Sequence, residues 1–116
     1  MATQPMLPDF EIRNAQTRDE IRTVVYRWQK PSPYRSFAEY QWAVAVAYEA
    51  RERFYEDVIE HATHHGPYGL LFAALLDARS GWRDAAERAR RAASEAARFD
   101  QEQAFASYRD TIAAVA

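Results

Sequence analysis

Apolar residues in this chain recur at helical intervals over most of its length. Phe37, Tyr40, Val44, Tyr48, Tyr55, Val58 and Ala62 follow one another at steps of three, four or seven, and Ala47 and Phe54 widen the stripe. That is the 3.6-residue period of a helix, not the alternation of a strand. Ser36 and Glu39 stand in the S-x-x-E order of a capping box, in which each side chain satisfies an orphaned backbone N–H. No Gly or Pro interrupts the pattern before Gly66 and Pro67. The spacing therefore predicts one unbroken helix over about 36–65, roughly 43 Å long at 1.5 Å per residue. Its centre, from Trp42 to Tyr48, is apolar nearly all round, which predicts burial on more than one face.

Shorter elements are expected on either side. Thr17 and Glu20 form a second capping box, and Ile21, Val24, Val25 and Trp28 share one face, so a helix is expected from Thr17 to Gln29. Pro31 and Pro33 end it, because each forces the residue before it away from helical geometry. Pro5 and Pro8 leave 1–14 as an irregular or partly extended arm. After the connection at Gly66 and Pro67, a third helix is expected over about 68–79, with Leu71, Ala74, Leu75 and Ala78 inward. Ser80 and Gly81 end it, Gly81 suiting the left-handed position that closes a helix. A fourth begins near Trp82 or Arg83. It carries Ala85, Ala89, Ala92, Ala96 and Phe99, with Ala86, Ala93 and Ala97 beside them, small residues that let two helix axes approach closely. Asp100 and Gln103 offer one more start signal, so this segment either continues or breaks near Asp100. Phe105, Tyr108, Ile112 and Val115 carry an apolar seam onward. The expectation is an all-α, compact bundle of four to five helices around the long central one, forming a single domain over 1–116.

Composition narrows the function classes. The chain has 116 residues, 48% hydrophobic and 28% charged, which suits a globular domain with a core of its own. It has no cysteine, so disulfides, thiol catalysis and cysteine-held metals are excluded. A formal net charge of −2 gives no global pull toward nucleic acid. The charged residues of the central helix leave too short an apolar window for the ~20 residues a bilayer span needs. With no apolar leader-like run at the start, the expected location is cytoplasmic.

Four groups of residues could carry chemistry. Glu60, His61, His64 and His65, with Glu56 and Asp57 nearby, put imidazoles and carboxylates four apart on helix faces, a spacing at which two histidines can share a metal. Against that, no H-E-x-x-H or paired E-x-x-H pattern is present, and histidines in a last helical turn commonly serve its exposed carbonyls. Glu49, Glu52, Glu56 and Glu60 form an acidic ladder, either a solvated face or a docking surface for a basic partner. Arg22, Tyr26, Arg27, Trp28, Lys30, Tyr34 and Arg35 mix basic and aromatic groups as single-strand binders do, without an accompanying nucleic-acid motif; within this set Arg27, Lys30, Tyr34 and Arg35 are the residues a nucleic acid would meet. Arg83, Arg90, Arg91 and Arg98 form a basic stripe partly offset by Glu87 and Glu95. No nucleophile elbow and no Gly-rich phosphate loop exists.

With three Trp, seven Tyr and six Phe, the chain has more aromatic surface than a short bundle core needs, and aromatic residues favour interfaces. The expected function is non-enzymatic: a protein–protein interaction, adaptor or inhibitor domain that needs no cofactor. Its partner surface is expected at Glu49, Glu52, Glu56, Tyr34 and Arg35, with self-association as a dimer favoured by the Ala-rich stripe. The rival expectation is a metal- or ligand-binding helical enzyme using Glu60, His61, His64 and His65. The third is nucleic-acid binding through Arg27, Lys30, Tyr34 and Arg35.

Overall fold

The computed structural model describes residues 7–26, 34–65 and 69–115, and every element in it is helical. The described residues form three helices in chain order: α1 (Phe10–Tyr26), α2 (Phe37–His65) and α3 (Gly69–Val115). The all-α expectation holds, and α2 is the unbroken central rod that its periodicity predicts. The compact bundle of four to five helices is not what forms. The molecule measures 81 × 24 × 16 Å, with a radius of gyration of 20.4 Å, where a compact chain of this length has about 13 Å.

The missing boundaries have local reasons. Gly81 stays inside α3 with helical backbone, and nothing lies within 4 Å of the place a Cβ would occupy. It is not the left-handed closing residue expected there, and the third and fourth predicted helices are one. Asp100 does not start a new helix either; α3 runs through it. At the other end, α1 begins at Phe10, inside the stretch read as an irregular arm. Asp9 accepts its first helical hydrogen bond, from Arg13 N–H at 3.0 Å. Thr17 therefore sits mid-helix instead of capping, and its hydroxyl donates back to the Arg13 carbonyl at 2.9 Å.

Ser36 does cap α2: its hydroxyl accepts from Glu39 N–H at 3.1 Å. The reciprocal half of the box is displaced by one residue, since the Glu39 carboxylate accepts from Arg35 N–H at 3.3 Å.

Helix α3 runs antiparallel to α2. Glu49 pairs with Arg90, while Glu52 and Glu56, further along α2, pair with Arg83, further back on α3. The seam between them is built from small residues. Ala45 on α2 and Ala86, Ala89 and Ala93 on α3 are all buried. Larger groups close the end of the seam near the α2–α3 connection, where Phe54, Val58, Ile59 and Leu75 are buried together, with Leu7, Phe10, Tyr55, Phe72 and Leu76 packed around them. The inward face of early α3 is thus Phe72, Leu75 and Leu76; Leu71 and Ala74, expected inside, are exposed. A second cluster joins Val44, Ala45 and Ala89 to Val24 and Val25 of α1. The apolar middle of α2 is covered on fewer sides than its composition suggests, because Trp42 and Val46 face outward.

Helix α1 packs on α2, and so does α3, but the backbones of α1 and α3 do not approach one another. Three polar links hold α1 down among the described residues, and in one of them the Tyr40 hydroxyl donates to the Val25 carbonyl at 3.0 Å. Arg13 pairs with Asp57 at 2.7 Å, and Arg51 reaches from α2 to Thr17 Oγ1 at 2.7 Å and the Asn14 carbonyl at 3.1 Å.

Candidate functional site

Helix α3 is 47 residues long and α2 is 29, so α3 outruns its partner. The arithmetic of the antiparallel pairing puts the start of α2 level with the late nineties of α3. Burial follows it. Ala93 is fully buried, Ala96 and Ala97 are half-buried, and each residue of 98–114 is exposed. The overhang is nonetheless amphipathic. Phe105, Tyr108 and Ile112 are exposed at 61%, 63% and 51%. They follow the 3–4 spacing of a coiled-coil seam, which Val115 extends in sequence.

This seam is not a continuation of the one that meets α2. The α2-facing positions, Ala86, Ala89, Ala93 and Ala96, project forward onto Asp100, Ala104, Ser107, Thr111 and Ala114, a line with no large apolar side chain. At 3.6 residues per turn, Phe105, Tyr108 and Ile112 lie about a third of a turn away from that line. The sequence change at Asp100 marks a switch of face, not a break. Arg109 lies alongside the seam, its guanidinium 5.8 Å from the centre of the Phe105 ring.

The acidic ladder and the arginine stripe turn out to face each other. Arg83 binds Glu52 at 2.9 Å and Glu56 at 3.3 Å, and Arg90 binds Glu49. Both carboxylates raise the affinity of Arg83 for its proton, the Glu52 hydrogen bond most. Three of the carboxylates expected to meet a basic partner thus have one within the chain. Tyr34, half-buried, sets its ring edge-on to Tyr40 at 5.6 Å, and Arg35 is exposed. Arg27, Trp28 and Lys30, and the side chain of Tyr26, lie outside the described residues, so the basic and aromatic group is represented by Arg22, which is exposed on α1, with Tyr34 and Arg35.

Glu60, His61 and His64 line a groove of about 460 Å³ together with Leu7, Asp9, Arg13 and Asp57. One carboxylate of that groove, Asp57, is engaged by Arg13. Among the described residues, no three His, Asp or Glu side chains are gathered so as to hold a metal ion. The side chain of His65 lies outside the described residues. None of the described helices is long and apolar enough to cross a membrane.

Comparison of the chain with protein-family models, with curated proteins and with solved structures gives no match. The exposed seam of the α3 overhang is the surface that sequence reasoning undervalued. The signal was present in the phase of the apolar positions on either side of Asp100.

Proposed function

We propose that this chain is a non-enzymatic protein–protein interaction module, and that its binding element is the 98–115 overhang of α3, paired with the same segment of a second copy. The observation that carries this reading is the exposed Phe105–Tyr108–Ile112 seam on a helix whose other apolar face is already covered by α2. An amphipathic helix with its apolar stripe in water gains by laying that stripe against another helix.

Charge placement favours a second copy in antiparallel order. In the register that sets Phe105 opposite Tyr108 of the partner copy, and Gln101 opposite Ile112, the flanking Glu102 of each chain falls beside Arg109 of the other. Two opposite-charge pairs thus border the seam, as they do in coiled coils of defined orientation. The other flank carries Ala104 and Thr111, with no charge to oppose pairing. A parallel pairing brings neither Glu102 nor Arg109 beside an opposite charge. The antiparallel arrangement is also isologous, the form in which one patch serves both partners.

The interface is small. Phe105, Tyr108 and Ile112 remove roughly 300–400 Å² of surface per chain, against about 800 Å² per partner in a standard stable interface. The dimer is accordingly a weak, exchanging one.

Sedimentation equilibrium of the full chain tests this. Wild type associates reversibly. Glu102→Arg and Arg109→Glu each weaken association, because each sets like charges side by side, while the double exchange and the equimolar mixture of the two single variants restore it. Association that ignores both single variants contradicts the antiparallel register. A clean monomer at millimolar concentration contradicts self-pairing altogether.

A further inference from the structure

A second site lies midway along α2, in the cleft between α1 and α3. Its centre is Arg51, which is buried at 6% exposure. A buried cation normally has a carboxylate beside it, since an unpaired charge is costly to remove from water. Arg51 has none within salt-bridge reach among the described residues. Its hydrogen bonds all go to neutral acceptors: the Asn14 carbonyl, Thr17 Oγ1 and the Tyr55 hydroxyl, the last at 3.2 Å. Its Nε has no hydrogen-bond partner among the described residues. Three aromatic faces complete the surroundings. The guanidinium carbon lies 5.1 Å from the centre of Phe54, 5.0 Å from Tyr55 and 5.8 Å from Trp82. Burial and then the nearby positive charge of Arg18 oppose its protonation, while Tyr55 favours it.

A cavity of about 280 Å³ opens beside it, lined by Arg18, Ile21, Arg22, Arg51 and Trp82. Among the described residues, three guanidinium groups and no carboxylate line it. Arg18 and Arg22 stand four apart on α1, so they share a face and extend from the same side. Trp82 and Ile21 supply a flat apolar wall. Guanidinium forks match the paired oxygens of carboxylates and phosphates, and an indole stacks on flat rings. The volume is just under the ~300 Å³ at which sites for drug-sized ligands begin. It suits one ring and one charged headgroup.

We propose that this cavity is a binding site for a small organic anion, a planar ring bearing a phosphate or carboxylate, with the headgroup held by Arg18, Arg22 and Arg51 and the ring against Trp82. An oxyanion there supplies the countercharge that Arg51 lacks. The site is independent of the α3 overhang, and neither reading depends on the other.

Calorimetric titration of the full chain with phenyl phosphate, benzoate and inorganic phosphate tests it. Phenyl phosphate or benzoate is expected to bind at a single site, and the stronger of the two identifies the headgroup. Inorganic phosphate, which lacks the ring, is expected to bind roughly tenfold more weakly or worse. Arg18 and Arg22 are exposed, so Arg18→Gln/Arg22→Gln leaves the fold intact, as circular dichroism will verify. That double variant is expected to lose tenfold or more in affinity, since charge-assisted bonds are the strong ones. Trp82→Phe is expected to weaken the ring-bearing probes and leave inorganic phosphate unchanged. Absence of binding by both ring-bearing probes at millimolar concentration overturns the proposal. So does binding that survives unchanged in the folded Arg18→Gln/Arg22→Gln variant.

Discussion

Arg51 of α2 donates from Nη1 to Thr17 Oγ1 of α1 across 2.7 Å, a part-buried contact between residues 34 apart in sequence. This contact makes Thr17 a structural acceptor instead of a cap. Thr17→Val keeps the shape and removes the acceptor, leaving Arg51 with one carbonyl and one phenol. A hydrogen bond to a buried charged group contributes more than a neutral one, and its loss is expected to cost about 1.5 kcal/mol. Urea denaturation followed by circular dichroism measures this. A change lost in experimental scatter means that the bridge does not secure α1.

Gly81 offers the sharpest test of α3 continuity. It lies in helical backbone with open space where a methyl would stand. Gly81→Ala is therefore expected to stabilise the protein by about 0.5–1 kcal/mol, through the lower entropy cost of Ala in a helix. A left-handed Gly81 closing a separate helix gives the opposite sign. Thermal melting of the two proteins side by side distinguishes them.

The Ala seam sets how near α3 can come to α2. Ala86 and Ala93 have no exposed surface. Ala86→Leu inserts three carbons where the axes meet and is expected to cost about 1–3 kcal/mol in strain. Ala106→Leu, on the exposed overhang and off its apolar seam, is expected to leave stability unchanged. Equal effects at the two positions in denaturant unfolding contradict the assignment of the seam.

Tyr40 links the fold to alkaline pH. Its hydroxyl donates to the Val25 carbonyl at 3.0 Å, tying the end of α1 to α2. Burial, and then Tyr48 and Tyr34, push its pKa up. A raised folded value means that the protonated phenol is the form the fold holds. Its contribution is complete below the unfolded value, about 10, and is lost as pH rises through the higher folded value. Stability is thus expected to fall above that range, and Tyr40→Phe is expected to be less stable at neutral pH with a shallower alkaline fall. Denaturant midpoints measured across pH 8 to pH 11 check both slopes.

Much of the helical content was legible in the sequence because periodicity is local. The extent and cap of α2, the inward set Ile21, Val24 and Val25, and the small-residue face of α3 all follow from spacing alone. The boundaries that failed were set by context. Gly81 and Asp100 are permissive signals, and a helix packed along α2 runs through them. Pro8 and Asp9 start α1 earlier than the stronger-looking Thr17 and Glu20. The Arg51 cavity was invisible because it needs residues from three helices, and the pairing of Glu49 and Glu52 with Arg90 and Arg83 depends on the antiparallel alignment. The exposed seam was half visible. Phe105, Tyr108 and Ile112 were recognised as apolar positions, but only the length difference between α2 and α3 shows that nothing in the described chain covers them.

The most direct test of the α3 overhang as an association surface is amide hydrogen exchange over 98–115 at two protein concentrations. A single helix of that length without tertiary support frays in water, so protection there must come from a partner. Exchange there is expected to be fast at low micromolar concentration and slowed at millimolar concentration, with the α2-covered part of α3 protected at both. Exchange over 98–115 that is the same at both concentrations contradicts it.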